Sequence, residues 1–292
     1  MKRIPLSAGT PAEYHCGNKC TWCDGCGDYG IWTAVKRALA GSSIPPHGVL
    51  LCYDVGCHGN TSDKLLGYRF HGLHGRVLPF AAGAKLANPT LPVMAFGGDG
   101  ASFSEGVGHL VHAIRSNYPI VFVLHNNANY GLTLGQASSL TWQGQKMNTS
   151  PNGIPEQTLP SMDFVFSLEP TFVARGTTTD IPQMTEILQA ALKHRGFAFV
   201  DLLQACPTWN HFATQQYLLD HCRPVEGHDA SDFAKARALA VDTSKTIATG
   251  VLYQREDVPS FYERLVPRQG KTTTTVDEVA ITDVTKLMEK YV

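Results

Sequence analysis

Residues 93–127 decide the fold class of this chain and read VMAFGGDGASFSEGVGHLVHAIRSNYPIVFVLHNN. The apolar runs at 93–96 and 120–124 have the length and composition of buried β-strands. Between them, residues 104–117 predict a helix that begins with Ser104 as its N-cap and turns Leu110, Val111 and Ile114 inward. A strand, a helix and a second strand at this spacing predict a right-handed βαβ unit in a parallel sheet.

The same alternation continues on both sides of this unit. Residues 48–53 and 197–203 predict two more buried strands, and residues 28–40 and 180–195 predict helices, the second capped by Asp180. We therefore predict an α/β fold in which helices cover both faces of a parallel sheet. Residues 136–159, rich in Ser, Gln, Asn, Gly and Pro, predict a long surface loop or lid.

The alternation is lost beyond about residue 227. We expect residues 1–226 to form one α/β domain that carries the site. We expect residues 227–292 to form a tail that packs on this core or on a partner chain and ends in a helix at 283–291.

Composition excludes several classes of protein. The 292 residues are 43% hydrophobic and 17% charged, which argues against bulk disorder. The 24 basic and 25 acidic side chains nearly cancel, so no binding to nucleic acid or to an anionic membrane surface is expected. The apolar runs are shorter than the ~18–20 residues of a membrane span, and residues 1–5 (MKRIP) lack the apolar stretch of a secretory signal. A cytoplasmic protein is expected.

Oxygen-bearing side chains follow two successive strands of the predicted sheet. Asp99 comes after the strand at 93–96, and Asn126 and Asn127 come after the next one. The carboxyl ends of parallel strands share one edge of a sheet, where ligands bind. A carboxylate and an amide oxygen with flanking Gly98 and Gly100 suit a Mg²⁺–diphosphate group. The alternative is a strand-end turn followed by an Asn-rich loop.

The cysteines form a second candidate site. Cys23 and Cys26 make a C-x-x-C pair, Cys57 follows the strand at 48–53, and Cys206 follows the strand at 197–203. The last two are therefore expected at the same edge as Asp99. Spacing alone leaves three interpretations open, namely a [4Fe–4S] cluster, a tetrahedral zinc ion and unligated thiols.

Gly25, Gly27 and Gly30 satisfy a dinucleotide-binding pattern, but no predicted strand precedes them, so its structural context fails. His71, His74 and Arg76 form a basic cluster that could bind a diphosphate or a substrate carboxylate. We expect His109 and His112 to be structural, and Thr133 and Gln136 to support the site.

In these motifs the chain resembles the β subunits of 2-oxoacid:ferredoxin oxidoreductases, especially the separate-chain 2-oxoglutarate type. The resemblance runs from about residue 14 to 210 and continues in residues 247–265. It is carried by residues 22–28 (WCDGCGD), 54–59 (DVGCHG), 70–76 (FHGLHGR), 97–100 (GGDG), 109–113 (HLVHA), 126–136 (NNANYGLTLGQ) and 206–207 (CP).

The resemblance implies a role for each matching position. The [4Fe–4S] ligands would be Cys23, Cys26, Cys57 and Cys206, whereas Cys16, Cys20, Cys52 and Cys222 match no ligand. The Mg²⁺ ligands would be Asp99, Asn127 and the backbone carbonyl of Asn129. The thiamine diphosphate contacts would be Val55, Gly56, Cys57, His58, His74, Gly98, Gly100, Ala101, Gly131 and Leu132. His74 and Thr133 are the candidate catalytic residues of this chain.

The implied reaction is the oxidative decarboxylation of a 2-oxoacid with coenzyme A to an acyl-CoA and CO₂. Electrons would pass through the cluster to ferredoxin, and an α subunit, in an αβ or (αβ)₂ assembly, would supply the glutamate beside the aminopyrimidine. 2-Oxoglutarate is favoured, with pyruvate or a broad range of 2-oxoacids as the alternative. Ala101, His58 and Asn60 depart from the family pattern and leave the substrate open. The competing classes are a non-redox thiamine diphosphate decarboxylase or synthase, which needs no cluster, and a zinc-stabilised binding module, which needs no Asp99–Asn127 pair.

Overall fold

The computed structural model describes residues 9–271, 273–278 and 285–289. Its strands are β1 (Leu50–Tyr53), β2 (Tyr68–His71), β3 (Val93–Gly98), β4 (Val121–Asn126), β5 (Phe172–Thr177), β6 (Ala198–Leu203), β7 (Cys222–Pro224) and β8 (Ile247–Gln254). They form one sheet in the order β2-β1-β3-β4-β6-β5-β8-β7. All neighbouring pairs are parallel except β5 and β8.

Helices lie on both faces of this sheet. They are α1 (Asp28–Gly41), α2 (Val77–Ala87), α3 (Val107–Ser116), α4 (Ser161–Ser167), α5 (Ile181–Lys193), α6 (Gln215–His221), α7 (Phe233–Val241), α8 (Phe261–Arg264), α9 (Thr275–Glu278) and α10 (Thr285–Met288). None of the helices within the described residues is long and apolar enough to cross a bilayer.

The sheet separates two hydrophobic layers because successive strand residues point to opposite faces. In β4, Phe122 and Leu124 pack with α2, α3, α4 and α7. Val121 and Val123 of the same strand pack with α1 and α5. A central strand that is buried on both faces reads as a continuous apolar run, which is why β4 was recognisable from sequence.

The predicted α/β fold is confirmed, including the βαβ unit, α1 and the Asp180 cap, whose Oδ1 accepts a hydrogen bond from Gln183 N–H at 2.9 Å. The predicted start of the central helix is wrong. Residues Ala101–Glu105 form a π-helical turn, and α3 begins only after Gly106. A Cβ at Gly106 would lie 2.6 Å from the Ala101 carbonyl oxygen and 2.8 Å from that of Gly75, and Gly106 N–H donates to the Ala101 carbonyl at 2.8 Å. The boundary therefore lies at the glycine that closes the π-helical turn rather than at a Ser104 cap.

Two further regions differ in part from the sequence-based predictions. The segment 136–159 has no regular structure, as predicted, but Ser138, Leu140 and Thr141 are buried, so it is not wholly a surface loop. Beyond residue 227, β8 extends the sheet beside β5, and α7 packs against β8. The division of the chain at residue 226 stays a prediction. The expected helix at 283–291 is described only in part, as α10, because residues 283–284 and 290–291 lie outside the described residues.

Candidate active site

Four consecutive, mutually parallel strands carry the predicted site residues to one edge of the sheet. The order β1-β3-β4-β6 places the turns after these strands side by side. Cys57, Asp99, Asn127 and Cys206 lie in those four turns. Their convergence is therefore a consequence of strand order, which sequence spacing alone could not fix.

A cavity of about 460 Å³ opens at this edge. Every residue predicted to contact thiamine diphosphate or Mg²⁺, together with both catalytic candidates, lines it. These are Val55, Gly56, Cys57, His58, His74, Gly98, Asp99, Gly100, Ala101, Asn127, Asn129, Gly131, Leu132 and Thr133. Glu105, Tyr130 and Gln136 complete the lining. The structure brings the predicted residues together, and their individual roles remain predictions.

Two buried oxygen atoms in this cavity have no hydrogen-bond partner among the described residues: Asp99 Oδ1 and Asn129 Oδ1. The other carboxylate oxygen of Asp99 accepts a hydrogen bond from Ser138 Oγ, and Asn129 Nδ2 donates to the Asn127 carbonyl at 2.8 Å. Burial raises the pKa of Asp99 to about 7. Unpartnered carboxylate and amide oxygens suit a hard dication, which would favour the ionised carboxylate.

The glycines of the cavity make room for its walls. A Cβ at Gly100 would lie 2.3 Å from Tyr130 Cε1, and one at Gly98 would lie 3.2 Å from His58 Cε1. His58 is buried, and burial together with neighbouring His125 lowers its pKa well below the usual range, so its imidazole is neutral. From the sequence, Gly98 and Gly100 are explained by a close approach of the backbone to a diphosphate, and that explanation stays a prediction. The lack of room beside His58 and Tyr130 is a second reason for glycine at these two positions.

The predicted catalytic side chains are held by neighbours, of which the sequence analysis missed Glu105 and Tyr130. His74 Nδ1 lies 3.8 Å from Glu105 Oε1, and the Tyr130 hydroxyl donates to the same carboxylate at 3.0 and 3.2 Å. Thr133 Oγ1 donates to Gln136 Oε1 at 2.5 Å, so this hydroxyl proton is already engaged. Glu105 is the single acidic residue of the stretch 101–116, which is the signal that could have drawn attention to it.

The other basic candidates lie outside the cavity lining. Arg76 Nη1 donates to the carbonyl oxygens of Gly75 and Glu105 and thereby pins its loop. His71 is exposed. His112 Nε2 lies 3.3 Å from the Tyr118 hydroxyl, a packing arrangement in keeping with its expected structural role.

The four cysteines predicted as ligands come from three loops that hydrogen bonds hold together. Gly27 N–H donates to the Ala205 carbonyl at 3.0 Å, and Trp22 Nε1 donates to the Cys57 carbonyl at 2.7 Å. Burial raises the pKa of Cys26 and Cys57, and repulsion from the Asp28 carboxylate adds to both shifts. Neighbouring sulfurs raise them further, Cys57 acting on Cys26 and both Cys206 and Cys23 acting on Cys57. Buried thiols with raised pKa values are unreactive unless a metal stabilises their thiolates.

Within the described residues, no three His, Cys, Asp or Glu side chains are arranged to hold a single metal ion. An iron–sulfur cube takes its thiolates at separate irons, so its ligands need not converge on one point. The remaining cysteines match no predicted ligand position. Cys16 Sγ donates to the Asp63 carbonyl at 2.8 Å, Cys52 and Cys222 are buried in strands, and Cys20 is half-buried.

A buried polar chain connects the cysteines with the cavity. Cys26 Sγ lies 3.5 Å from Asp28 Oδ2, and Asp28 Oδ1 lies 2.8 Å from His125 Nδ1. The His125 ring lies 5.2 Å from that of His58, which lines the cavity. On the other side of Cys26, Gln204 Nε2 donates to its sulfur at 3.6 Å. The contacts of Asp28 with His125 and of Cys26 with Gln204 join residues 97 and 178 positions apart, so no sequence pattern could have shown them.

Two family models match successive parts of the chain. Residues 54–202 match the C-terminal TPP-binding domain of thiamine pyrophosphate enzymes. Residues 206–269 match the C-terminal region of the pyruvate ferredoxin oxidoreductase β subunit.

Named relatives agree with these models. The 2-oxoacid:ferredoxin oxidoreductase subunit beta of Saccharolobus solfataricus is 35% identical over 290 residues, covering 88% of this chain and 94% of that protein. The 2-oxoglutarate oxidoreductase subunit KorB of Mycobacterium tuberculosis is 36% identical over 189 residues, covering 65% of this chain and 51% of that protein. The solved 2-oxoglutarate:ferredoxin oxidoreductase of Magnetococcus marinus, with 2-oxoglutarate, coenzyme A and succinyl-CoA bound, superimposes with a TM-score of 0.89 at 31% identity and covers 98% of this chain and 97% of that one.

Proposed function

The chain belongs to the family of 2-oxoacid:ferredoxin oxidoreductase β subunits, and we propose that it holds thiamine diphosphate, Mg²⁺ and a [4Fe–4S] cluster for the oxidative decarboxylation of 2-oxoglutarate. The relatives named for 2-oxoglutarate and the ligands of the solved homologue support this choice of substrate and of coenzyme A as acyl acceptor. Pyruvate or a broader range of 2-oxoacids is the alternative within the family.

One observation carries the proposal: Cys57 lines the cavity that contains the unpartnered oxygens of Asp99 and Asn129, and it also belongs to the group of four cysteines. A diphosphate site and a cluster site would therefore share a wall. A non-redox thiamine enzyme has no need of that second site, and a zinc-binding module has no need of the first.

The residues of this chain would divide the work as follows. Asp99, Asn127 and Asn129 would hold Mg²⁺ and through it the diphosphate, and neutral His58 would line the cavity as an uncharged wall. The four cysteines would hold the cluster beside that cavity. Bound thiamine diphosphate supplies the electron sink for decarboxylation, and the cluster would carry electrons singly towards ferredoxin. The acid–base group at the aminopyrimidine is assigned to an α subunit.

The test is anaerobic co-purification with the large subunit, followed by analysis of iron, sulfide, zinc and thiamine and by EPR of the reduced complex. We expect about four irons and four sulfides per chain, bound thiamine, and CoA-dependent reduction of ferredoxin by 2-oxoglutarate faster than by pyruvate. Cys57→Ser should lose the cluster signal, whereas Cys222→Ser, at a buried cysteine outside the group, should keep it. Zinc in place of iron, or thiamine without iron, would refute the redox assignment. Mass measurement of the complex distinguishes αβ from (αβ)₂.

A further inference from the structure

Asn210 lies in the loop that follows β6 and is 2% exposed. Its backbone N–H donates to the carbonyl of Cys206 at 3.0 Å. Its side-chain Oδ1 accepts hydrogen bonds from the N–H groups of Phe212 and Ala213 at 3.1 and 2.7 Å. These three bonds fix the shape of the loop that carries Cys206 and leave the Nδ2 group as a donor that can reach out of the loop.

That Nδ2 group donates to the carbonyl oxygen of Asn127, in the turn after β4, at 2.8 Å. The same carbonyl accepts Asn129 Nδ2 at 2.8 Å, so both of its acceptor positions are used. Asn127 Oδ1 in turn accepts the backbone N–H of Asn129 at 3.1 Å. The orientation of the turn at 127–129 is therefore tied directly to one side chain of the cysteine-bearing loop.

Resting on the function proposed above, we infer that Asn210 is a positioning residue that couples the Cys206 loop to the Mg²⁺–diphosphate turn. One amide bridges the two loops, and burial keeps water from replacing it. Ordering of either loop by its cofactor favours the bridged arrangement and so favours the other. Because such coupling is reciprocal, we expect filling of the diphosphate site to alter the surroundings of the cluster. We expect loss of the bridge to weaken cofactor binding.

Asn210→Asp isolates the bridge. An aspartate keeps the Oδ1 acceptor for Phe212 and Ala213 but replaces the Nδ2 donor with an oxygen that faces the Asn127 carbonyl. Loss of a residue that orients ligand-bearing groups typically weakens metal affinity by about 10–100-fold. We expect at least a tenfold higher Kd for thiamine diphosphate with Mg²⁺.

Asn117→Asp is the matched control. Asn117 is also buried; its Oδ1 accepts from Thr171 Oγ1 and Phe197 N–H, and its Nδ2 donates to the Pro259 carbonyl at 3.3 Å. It precedes β4 and so lies at the opposite edge of the sheet from the cavity. Its substitution should cost stability without changing the cofactor Kd.

The experiment uses the αβ complex after removal of thiamine diphosphate, with the cluster retained. Three quantities are measured: the Kd of the cofactor, the thermal midpoint, and the EPR spectrum of the reduced cluster before and after the cofactor is added. In the wild type and in N117D, cofactor addition should change the line shape. In N210D the Kd should rise and the change in line shape should be lost. Asn210→Ser, which keeps a turn-forming oxygen but is too short to reach Asn127, should behave like N210D and serves if the aspartate prevents assembly.

An N210D or N210S complex that binds the cofactor within twofold of wild type overturns the inference. So does a wild-type cluster spectrum that does not respond to the cofactor, whatever the variants do. A wild-type complex without cluster or thiamine instead removes the proposed function, and with it the basis of this inference, so the two failures are distinguishable.

Discussion

Adding one methyl group at Gly100 should weaken cofactor binding through Tyr130. The backbone of Gly100 is right-handed helical, with φ −61° and ψ −51°, so alanine is allowed there without strain. The new Cβ would lie 2.3 Å from Cε1 and 2.4 Å from Cζ of the Tyr130 ring. Ordinary carbon contacts need about 3.5–4.0 Å, so the ring must move by more than an ångström.

The structure sets the size of this effect. Displacing the ring breaks the hydrogen bonds from the Tyr130 hydroxyl to Glu105 and moves a cavity-lining side chain. Overpacking of this kind costs about 1–3 kcal/mol of folding stability, at the low end here because Tyr130 is half-buried and can rotate. The change reaches cofactor binding because the displaced ring takes up space in the cavity that it lines. We expect Gly100→Ala to raise the Kd of thiamine diphosphate with Mg²⁺ at least tenfold, about 1.4 kcal/mol, measured by calorimetric titration of the cofactor-free complex.

Two further variants make the prediction refutable. Gly83→Ala is the control because none of the described residues outside its own helix backbone lies within 4 Å of its Cβ position in α2, and it should stabilise the protein by roughly 0.5–1 kcal/mol. Tyr130→Ala combined with Gly100→Ala should bind the cofactor at least as tightly as Gly100→Ala alone, and more tightly if the displaced ring is the obstacle. Unchanged cofactor affinity in Gly100→Ala, or a double variant weaker than the single one, would show that Tyr130 does not transmit the effect.

Three other predictions follow from buried polar groups. Asp201→Asn should lower the free energy of unfolding by about 3–5 kcal/mol in denaturant titrations, because it removes the carboxylate whose Oδ2 lies 3.1 Å from Nε of buried Arg175. Adding Arg175→Met to this variant should recover most of the lost stability. Gln204→Leu should lower the midpoint potential of the cluster in an EPR-monitored redox titration. The wild-type Gln204 Nε2 group donates to Cys26 Sγ, and this bond stabilises the reduced cluster, which carries more negative charge. An unchanged potential would rule out that bond. Burial lowers the pKa of His194 to about 4, whereas the unfolded chain takes up this proton near 6.5. The free energy of unfolding should therefore fall by at most about 2 kcal/mol when the pH is lowered from 7 to 5. Thermal melts at the two pH values should show a smaller fall for His194→Gln than for the wild type.

Much of the fold could be predicted because the central strands are buried on both faces. β3 and β4 each begin with an uninterrupted run of four apolar residues, and α1 and α5 have one apolar side each, so local sequence and tertiary structure agree. β2 was missed because its residues are largely exposed, and β8 was missed because it lies beyond the regular alternation and joins the sheet antiparallel. The start of α3 was misplaced because the π-helical turn that Gly106 closes does not show in the local hydrophobic pattern.

The sequence by itself determined which chemical groups this protein could present. Asp99 and Asn127 follow successive strands, Cys57 and Cys206 follow two others, and the rule that ligands bind at the carboxyl ends of parallel strands predicts that all four share one edge. Only the tertiary structure decided which groups touch. The order β1-β3-β4-β6 makes their turns neighbours and lets Asn210 reach Asn127. Within the described part of the chain, Asp99 Oδ1 and Asn129 Oδ1 have no hydrogen-bond partner. Strand endings are local properties of the chain, whereas strand order and hydrogen bonds between residues 83 positions apart depend on how the whole sheet packs.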